Sequence, residues 1–249
     1  MALSSLLLAA LVPYGPAPVP PSTSPVPVED EPTDEHWHGF VEAGGTYTDG
    51  NTDVRTARVA AEAIKRIEDD RYTTRAFWNY TRSGGEITER NAGINGKWDH
   101  FIDEKLYYNG IAGVETDQEA DLDLRYYAGA GAGYQIRDDE KVKLYGEAGL
   151  VYFTEEFDDG SDNSYISARV SYDLDYTVSE TTLFEQIAEA FPSVENASDF
   201  NGRLDSKLSL EIKENWSAYI QHILDFDNTP AVGADRIDNR VVVGLRWTY

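Results

Sequence analysis

Apolar and polar residues alternate with a period of two along most of the chain that follows Trp37. The alternation is clearest in the C-terminal residues 239–249. One side there carries Val241, Val243, Leu245, Trp247 and Tyr249, and the other carries Arg240, Gly244, Arg246 and Thr248, with Val242 as the apolar exception. A period of two predicts a β-strand with one apolar face and one polar face.

The same pattern recurs upstream, and it predicts eleven further strands. Their ranges are 38–47, 53–65, 71–82, 88–99, 104–116, 122–136, 141–153, 164–176, 181–191, 199–213 and 216–226. Two of them are ambiguous, because the alanines of 53–65 and the residues Leu183, Ile187 and Phe191 of 181–191 also fit a helix. In 122–136 the alternation places Leu122 and Leu124 on the apolar face and Asp123 on the polar face.

The connections between these strands fall into two alternating sets. One set is short: 67–70, 100–103, 137–140, 177–180 and 213–215. The other is mostly longer and rich in Gly, Asn and Asp: 48–52, 83–87, 117–121, 154–163, 192–198 and 227–237. An even number of strands with short turns on one side and longer loops on the other is typical of outer-membrane barrels. The pattern therefore predicts an all-β, twelve-stranded antiparallel transmembrane β-barrel with both termini in the periplasm.

Aromatic residues of the apolar face collect at the two ends of the predicted strands. The periplasmic end has Tyr72, Trp98, Tyr134, Tyr176, Trp216, Trp247 and Tyr249, and the outer end has Tyr47, Tyr80, Tyr152, Phe200 and Phe226. Such girdles mark membrane interfaces. A soluble β-sandwich or lipocalin-like binding protein is the alternative. It would have to bury these aromatics and expose a densely charged face.

Composition narrows the choice of function. The 249 residues carry a net charge of -24, with 27% charged residues. This acidity argues against nucleic acid as a partner, because phosphate binding needs clustered Lys and Arg. The sequence has no run of 18 apolar residues, so no transmembrane helix is predicted. The absence of Cys excludes disulfides and thiolate metal sites.

The N-terminal part of the chain differs from the rest. Residues 1–12 contain a short apolar run that fits a signal peptide, although no basic residue precedes it. Residues 13–35 are rich in proline and end in acids, which predicts a disordered linker. Residues 36–249 form the predicted barrel.

Several short motifs occur in the order found in a known family. They are Trp37-His38-Gly39 with Glu42, Gly44 and 50–53, then 127–131 with Gly133 and Tyr134, and finally Asn228, Pro230, Gly233 and Asp235. Together they resemble the salt-induced outer-membrane protein family over residues 37–249. The terminal aromatic Tyr249 likewise resembles the last residue of bacterial outer-membrane barrels. The resemblance implies a bacterial outer-membrane location, lipid and lipopolysaccharide as surroundings, and recognition of the last strand by the barrel-assembly machinery. It implies no active site.

The polar face of the strands is the candidate functional site, because it would line the lumen. The pore-lining candidates are Glu42, Arg58, Glu62, Arg75, Lys97, Lys105, Glu115, Asp123, Arg125, Lys143, Glu147, Arg169, Asp173, Arg203, Asp205, Lys207, Asp225, Arg240 and Arg246. Acids and bases on this face nearly cancel. The sequence predicts a non-enzymatic narrow channel for ions or small solutes, or an envelope-integrity protein. It leaves open whether the lumen is a wet pore or is plugged by ion pairs.

Signs of catalysis and metal binding are sparse. Ser206 and His222 are predicted to lie opposite each other on the lipid face, with Gln186 as a possible orienting group. A nucleophile beside a base is the minimum for acyl transfer, so a membrane-embedded lipid hydrolase is an alternative function. The acidic loop 155–163 lacks the ligand spacing of an EF-hand, and no cofactor or metal site is predicted.

Overall fold

A computed structural model describes residues 36–48, 53–118, 121–194, 200–228 and 236–249. The predicted signal peptide and linker lie outside these residues, as do parts of four of the predicted loops. Within the described ranges, no helix is long and apolar enough to cross a membrane.

Twelve strands make up the described part of the chain. They are β1 (His38–Thr48), β2 (Val54–Ile67), β3 (Asp70–Ser83), β4 (Glu86–Phe101), β5 (Leu106–Asp117), β6 (Leu122–Asp138), β7 (Val142–Phe157), β8 (Asp162–Ser179), β9 (Thr182–Pro192), β10 (Phe200–Lys213), β11 (Trp216–Asp227) and β12 (Ile237–Thr248).

Each strand pairs antiparallel with its sequence neighbours, and β1 pairs with β12 to close the barrel. Glu42 lies opposite Arg246 in this closing ladder. Tyr249 extends the closure, because its backbone exchanges hydrogen bonds of 3.0 and 3.3 Å with Gly39. The prediction of a twelve-stranded antiparallel barrel is confirmed, and the alternative of a β-sandwich is wrong.

The two ambiguous segments are both strands. The alanine-rich β2 pairs along its whole length with β3, from Val54 opposite Ser83 to Ile67 opposite Asp70. β9 pairs with both β8 and β10. Ile187 and Phe191 of β9 are buried. They share the inner face of this strand with two carboxylates, which is why its periodicity is weak.

The outer face of the barrel is apolar. Leucine, isoleucine and valine side chains are exposed along it, and exposed Tyr72, Trp98, Trp216 and Tyr152 stand near the strand ends. Strong exposure of large apolar side chains indicates a surface that contacts an apolar partner or a membrane. Buried charged residues fill the interior instead, so the usual distribution of a soluble domain is reversed.

The two ends of the barrel differ. The end with the connections 68–69, 102–105, 139–141, 180–181 and 214–215 also holds the first residue of β1 and the last of β12, and is called here the turn end. The opposite end is called the loop end. Its connections are 49–53, 84–85, 118–121, 158–161, 193–199 and 228–236.

Candidate functional site

The inner wall of the barrel carries most of the predicted lumen residues. The alternation of each strand turns these side chains inward: Glu42, Arg58, Glu62, Arg75, Lys97, Glu115, Arg125, Lys143, Glu147, Arg169, Asp173, Arg203, Asp205, Lys207, Asp225, Arg240 and Arg246. Most of them are buried, so the lumen is filled by long charged side chains.

Two predicted lumen residues lie elsewhere. Lys105 is exposed in the connection 102–105, because β5 begins only at Leu106. Asp123 is exposed because a bulge between Leu122 and Leu124 interrupts the ladder of β6 with β7. Beyond a bulge the alternation changes phase. Leu122 is consequently buried, at 1% exposure, and the prediction that it points outward is wrong.

Four ion pairs among the described residues cross the lumen between strands that are not neighbours, and one of them, Arg240–Glu89, lies nearer the loop end. The ammonium group of Lys207 on β10 donates to both carboxylate oxygens of Glu42 on β1, at 3.0 and 2.9 Å. Arg246 on β12 donates to both oxygens of Glu185 on β9, at 3.0 and 3.1 Å. Lys97 on β4 pairs with Glu147 on β7. These three pairs are called struts here, and each joins strands that lie three positions apart around the barrel.

Other pairs join neighbouring strands. Arg75 on β3 pairs with Glu62 on β2. Arg169 on β8 donates to Glu147 on β7 at 2.7 Å and to Glu189 on β9 at 2.6 Å. Glu147 therefore belongs both to a strut and to this chain of pairs. Every charge in such a network has an opposite charge nearby, which offsets the cost of burying it.

A second polar network lies closer to the loop end. Arg240 on β12 pairs with Glu89 on β4 and donates to Asp225 on β11 at 2.7 Å. Arg58 donates to Asn79 at 2.6 Å, and Asn79 donates to Asn91 at 2.7 Å. Three strands lie between β4 and β12. The ion pair of Arg240 with Glu89 therefore also crosses the lumen, near the loop end.

The lumen also contains aromatic side chains that are not among the predicted pore-lining residues. Tyr107 and Tyr145 are buried there, and the guanidinium of Arg71 lies 5.7 and 5.6 Å from their ring centroids. Tyr127, Phe153 and Phe191 form a separate apolar cluster with Val151. The available signal was a pair of consecutive aromatics, as in 107–108, 126–127 and 152–153. Because neighbours in a strand point to opposite faces, one member of each pair must enter the lumen.

Little space is left between these side chains. One cavity of about 20 Å³ is lined by Arg71, Lys97, Tyr107, Glu147 and Asp173, among others. A second, of about 50 Å³, is lined by Glu42, Arg58, Glu62, Lys207 and Arg246, among others. Water needs roughly 10–15 Å³ of such volume per molecule, so each cavity has room for one to a few waters. The interior is narrow and polar.

The outer face carries one polar row, which includes the predicted nucleophile and base. Ser206 lies opposite His222, as predicted. Gln186 donates a 2.9 Å hydrogen bond to the Ser206 hydroxyl, and Tyr172 donates one of 2.8 Å to Gln186. His222 Nε2 lies 3.0 Å from Asn239 Oδ1. The bond that holds Ser206 thus comes from β9, the strand on the side away from His222.

Acidic residues of connection 158–161 stand at the loop end. Asp158 and Asp159 are exposed there, and Asp162 begins β8 beside them. The hydroxyl and the backbone amide of Ser161 bond to Asp159, and these hydrogen bonds hold the pKa of its carboxyl below the usual value. Asp159 is therefore ionised at neutral pH. Among the residues with a described position, no group of three His, Asp or Glu is suited to hold a metal ion.

Comparison with protein families identifies the family of this chain. Residues 41–249 match the family described as "Protein of unknown function, DUF481". The chain belongs to this family. The match covers nearly all of the predicted barrel. It says nothing of a response to salt, so that part of the resemblance stays a prediction. A comparison with curated proteins found no match.

Several solved structures are similar to the chain. The NanC porin is 10% identical, with a TM-score of 0.54, and the alignment covers 84% of this chain and 98% of that one. The KdgM porin is also 10% identical, covering 85% and 99% at a TM-score of 0.48. The translocator domain of the autotransporter NalP from Neisseria meningitidis is 13% identical, covering 86% and 89% at 0.49. At such identities the likeness to the NanC porin concerns the fold alone.

Proposed function

We propose that the protein is a non-enzymatic outer-membrane β-barrel whose narrow, hydrated lumen passes water and small ions and excludes larger solutes. The apolar outer face and its aromatic ends support a place in a lipid bilayer. Lipid and lipopolysaccharide would then surround the barrel. The barrel-assembly machinery would recognise the last strand, which ends at Tyr249.

The observation that carries the size limit is the set of three struts, Lys207–Glu42, Arg246–Glu185 and Lys97–Glu147. They cross the lumen where a twelve-stranded barrel would otherwise leave a bore. Twelve strands enclose more space than the side-chain-filled interior of eight and less than the open channel of sixteen. With the struts in place, the two cavities described above have room for a few waters and no room for a sugar.

The polar groups of the lumen support hydration of that passage. Several buried atoms have no hydrogen-bond partner within the protein, among them Asn95 Nδ2, Asn109 Nδ2 and Gln221 Oε1. Buried polar atoms of this kind bond to ordered water in most proteins. A chain of such waters between ion pairs is a path for water and small ions.

Reconstitution of the purified barrel tests the proposal. We expect small single-channel currents in planar bilayers, and no swelling of protein-containing liposomes in an isotonic sugar solution. The double variant Glu42→Gln/Lys207→Met removes one strut without leaving an unpaired charge, so its conductance should rise. Asp53→Asn, which removes the exposed pair with Arg55, should leave the conductance unchanged. Sugar entry through the wild type, or no current at any salt concentration, would overturn the proposal.

A membrane-embedded lipid hydrolase is the second candidate, because Asn239 is placed to orient His222 beside Ser206. The hydrogen bond from Gln186 to Ser206 is typical of a satisfied polar row in lipid and favours the non-enzymatic reading. Purified wild type and Ser206→Ala should therefore be equally inert towards phospholipid in mixed micelles. Release of fatty acid that disappears in Ser206→Ala would establish the hydrolase.

A further inference from the structure

Two neighbouring carboxylates on the inner face of β8 have too few hydrogen bonds. Asp173 and Asp175 are 9% and 3% exposed, and both point into the half of the lumen nearer the turn end. Neither oxygen of Asp175 has a hydrogen-bond partner, and Oδ1 of Asp173 has none. The ion pairs of the surrounding lumen make this pair of aspartates unusual.

The basic groups around these aspartates are bonded to other carboxylates. Arg75 pairs with Glu62, Lys97 with Glu147, and Arg246 with Glu185. Lys143 lies opposite Asp175 in the ladder of β7 with β8, and its charge attracts that carboxylate. No hydrogen bond joins the two, since both oxygens of Asp175 are without a partner. Basic groups therefore attract the two aspartates, but no donor of the protein bonds to Asp175 or to Oδ1 of Asp173.

Further carboxylate oxygens face the same part of the lumen. Glu185 lies opposite Asp175 in the ladder of β8 with β9, and Glu62 repels Asp175 from the other side of the barrel. Glu62 Oε1 also has no hydrogen-bond partner. Asp173 lines the 20 Å³ cavity, and Glu62 and Glu185 line the 50 Å³ cavity. Oxygens without donors thus border the space that water would occupy.

A buried ionised carboxylate without donors is costly, so it requires a counter-charge or a proton. We propose that Asp173 and Asp175, with Glu62 and Glu185 nearby, bind a small monovalent cation such as Na⁺ or K⁺ together with water. The inference rests on the proposed function and deepens it, because it states that the ion bound within the lumen is a cation. A cation between the two aspartates bonds to an oxygen of each and to water, whereas a proton neutralises one carboxylate.

The ligand class follows from the donor set. Carboxylate oxygens are hard ligands that suit alkali and alkaline-earth cations. A divalent ion held directly by the protein would need several carboxylates converging on one point. No group of three acids among the described residues is placed to hold a metal ion by itself. The proposed ion is therefore a monovalent one that bonds to the two aspartates and keeps most of its water shell.

A binding measurement that does not depend on conduction tests the site. The unfolding temperature of the purified barrel in detergent is measured in KCl, in NaCl and in N-methyl-D-glucamine chloride at equal ionic strength. We expect the wild type to unfold several degrees higher in the two alkali salts, because the organic cation is too large for the cavities. Asp173→Asn/Asp175→Asn should lose this difference, and Asp123→Asn, an exposed acid outside the lumen, should keep it.

Three results would overturn the site. They are an equal unfolding temperature of the wild type in all three salts, a cation-dependent difference that survives in the double variant, and a stabilisation that depends on pH but not on the cation. The last would mean that protons neutralise the aspartates. A cation-dependent shift without bilayer current would refute the proposed function and leave the site standing. Bilayer current without a cation-dependent shift would refute the site and leave the proposed function standing.

Discussion

Lys207 and Glu42 lie three strands apart around the barrel, yet the ammonium group bonds to both carboxylate oxygens, at 3.0 and 2.9 Å. Removing one partner of a buried ion pair leaves an unpaired charge, which costs about 3–5 kcal/mol. Arg246 also donates to Glu42, at 3.3 and 3.2 Å, so Glu42 keeps one partner when Lys207 is replaced. We therefore expect Lys207→Met to lower the free energy of unfolding by an amount near the lower end of that range. The double variant Glu42→Gln/Lys207→Met should recover much of that loss.

Urea unfolding followed by tryptophan fluorescence measures both effects. The exposed pair Arg55–Asp53 supplies the control, because such pairs contribute about 0–1 kcal/mol. If Lys207→Met and Asp53→Asn lowered the free energy of unfolding by the same small amount, the strut would not form.

Two lumenal tyrosines each lie over a glycine of the neighbouring strand. Tyr107 on β5 faces Gly133 on β6, and Tyr127 on β6 faces Gly113 on β5. A Cβ built on Gly133 would overlap the Tyr107 ring, and one on Gly113 would overlap the Tyr127 ring. Overpacking of this kind costs about 1–3 kcal/mol.

We accordingly expect Gly133→Ala to unfold at lower urea concentration than the wild type. Gly96→Ala is the matched control, since a Cβ at that outward position meets nothing within 4 Å. Its unfolding midpoint should equal or exceed that of the wild type. A larger loss in Gly96→Ala than in Gly133→Ala would contradict this packing.

The architecture could be predicted from the sequence because alternation is a local property of each strand. Strand number, antiparallel order, barrel closure and the opposition of Ser206 and His222 all follow from it. The errors have local physical causes. The bulge in β6 shifts the alternation at Leu122 and Asp123. The late start of β5 leaves Lys105 in a turn.

The contents of the lumen were less predictable. Which base pairs with which acid depends on distances across the barrel, so Lys207–Glu42 and Arg246–Glu185 leave no pattern in the sequence. The inner face of β9 carries both Glu185 and Ile187. Apolar periodicity therefore does not show which face of this strand points into the lumen. The sequence alone therefore does not distinguish a wet lumen from a plugged one.

Two turns at the turn end have the same sequence, Asp-Glu-Lys, and the same hydrogen bonds. Asp103 accepts from the amides of Lys105 and Leu106, and Asp139 accepts from the amides two and three residues on. Arg137 donates to Asp139 at 2.5 Å, and this bond, with those from the amides, holds the pKa of Asp139 below its usual value. The amides of the other turn lower the pKa of Asp103.

A lowered pKa in the folded state means that the carboxylate stabilises the fold above its unfolded pKa of about 3.9. The contribution is lost as the pH falls through the folded value. Asp139→Asn, which imitates the protonated acid, should thus destabilise the barrel at pH 7 and differ little from the wild type well below pH 4. Urea midpoints at both pH values give the comparison, with Glu140→Gln as the control. An equal loss at both pH values would mean that charge is not involved.

The orientation in the membrane can be tested by labelling, because the chain has no cysteine. We expect the loop end to face the cell exterior, since longer loops lie outside in such barrels. In intact cells, a membrane-impermeant thiol reagent should label Asp158→Cys and spare Glu140→Cys. Both should react in lysed cells. The reverse pattern in intact cells would mean that the barrel is inserted upside down.

Loop acids and lumenal acids should influence ion preference differently. Asp158, Asp159 and Asp162 are exposed, so they attract cations to the mouth over a distance set by the Debye length. That length is about 30 Å at 0.01 M salt and about 3 Å at 1 M. The cation preference of the wild type should therefore be weak, and it should shrink as salt rises. Asp173 and Asp175 lie inside the barrel, where salt screens little.

Replacing the three loop acids by Asn should remove the part of the cation preference that depends on salt. The variant Asp173→Asn/Asp175→Asn should remove the part that persists at 1 M. Reversal potentials under a salt gradient, recorded at low and at high mean concentration, separate the two parts. Anion selectivity of the wild type would mean that the bases of the lumen, such as Arg58 and Arg240, control the passage instead.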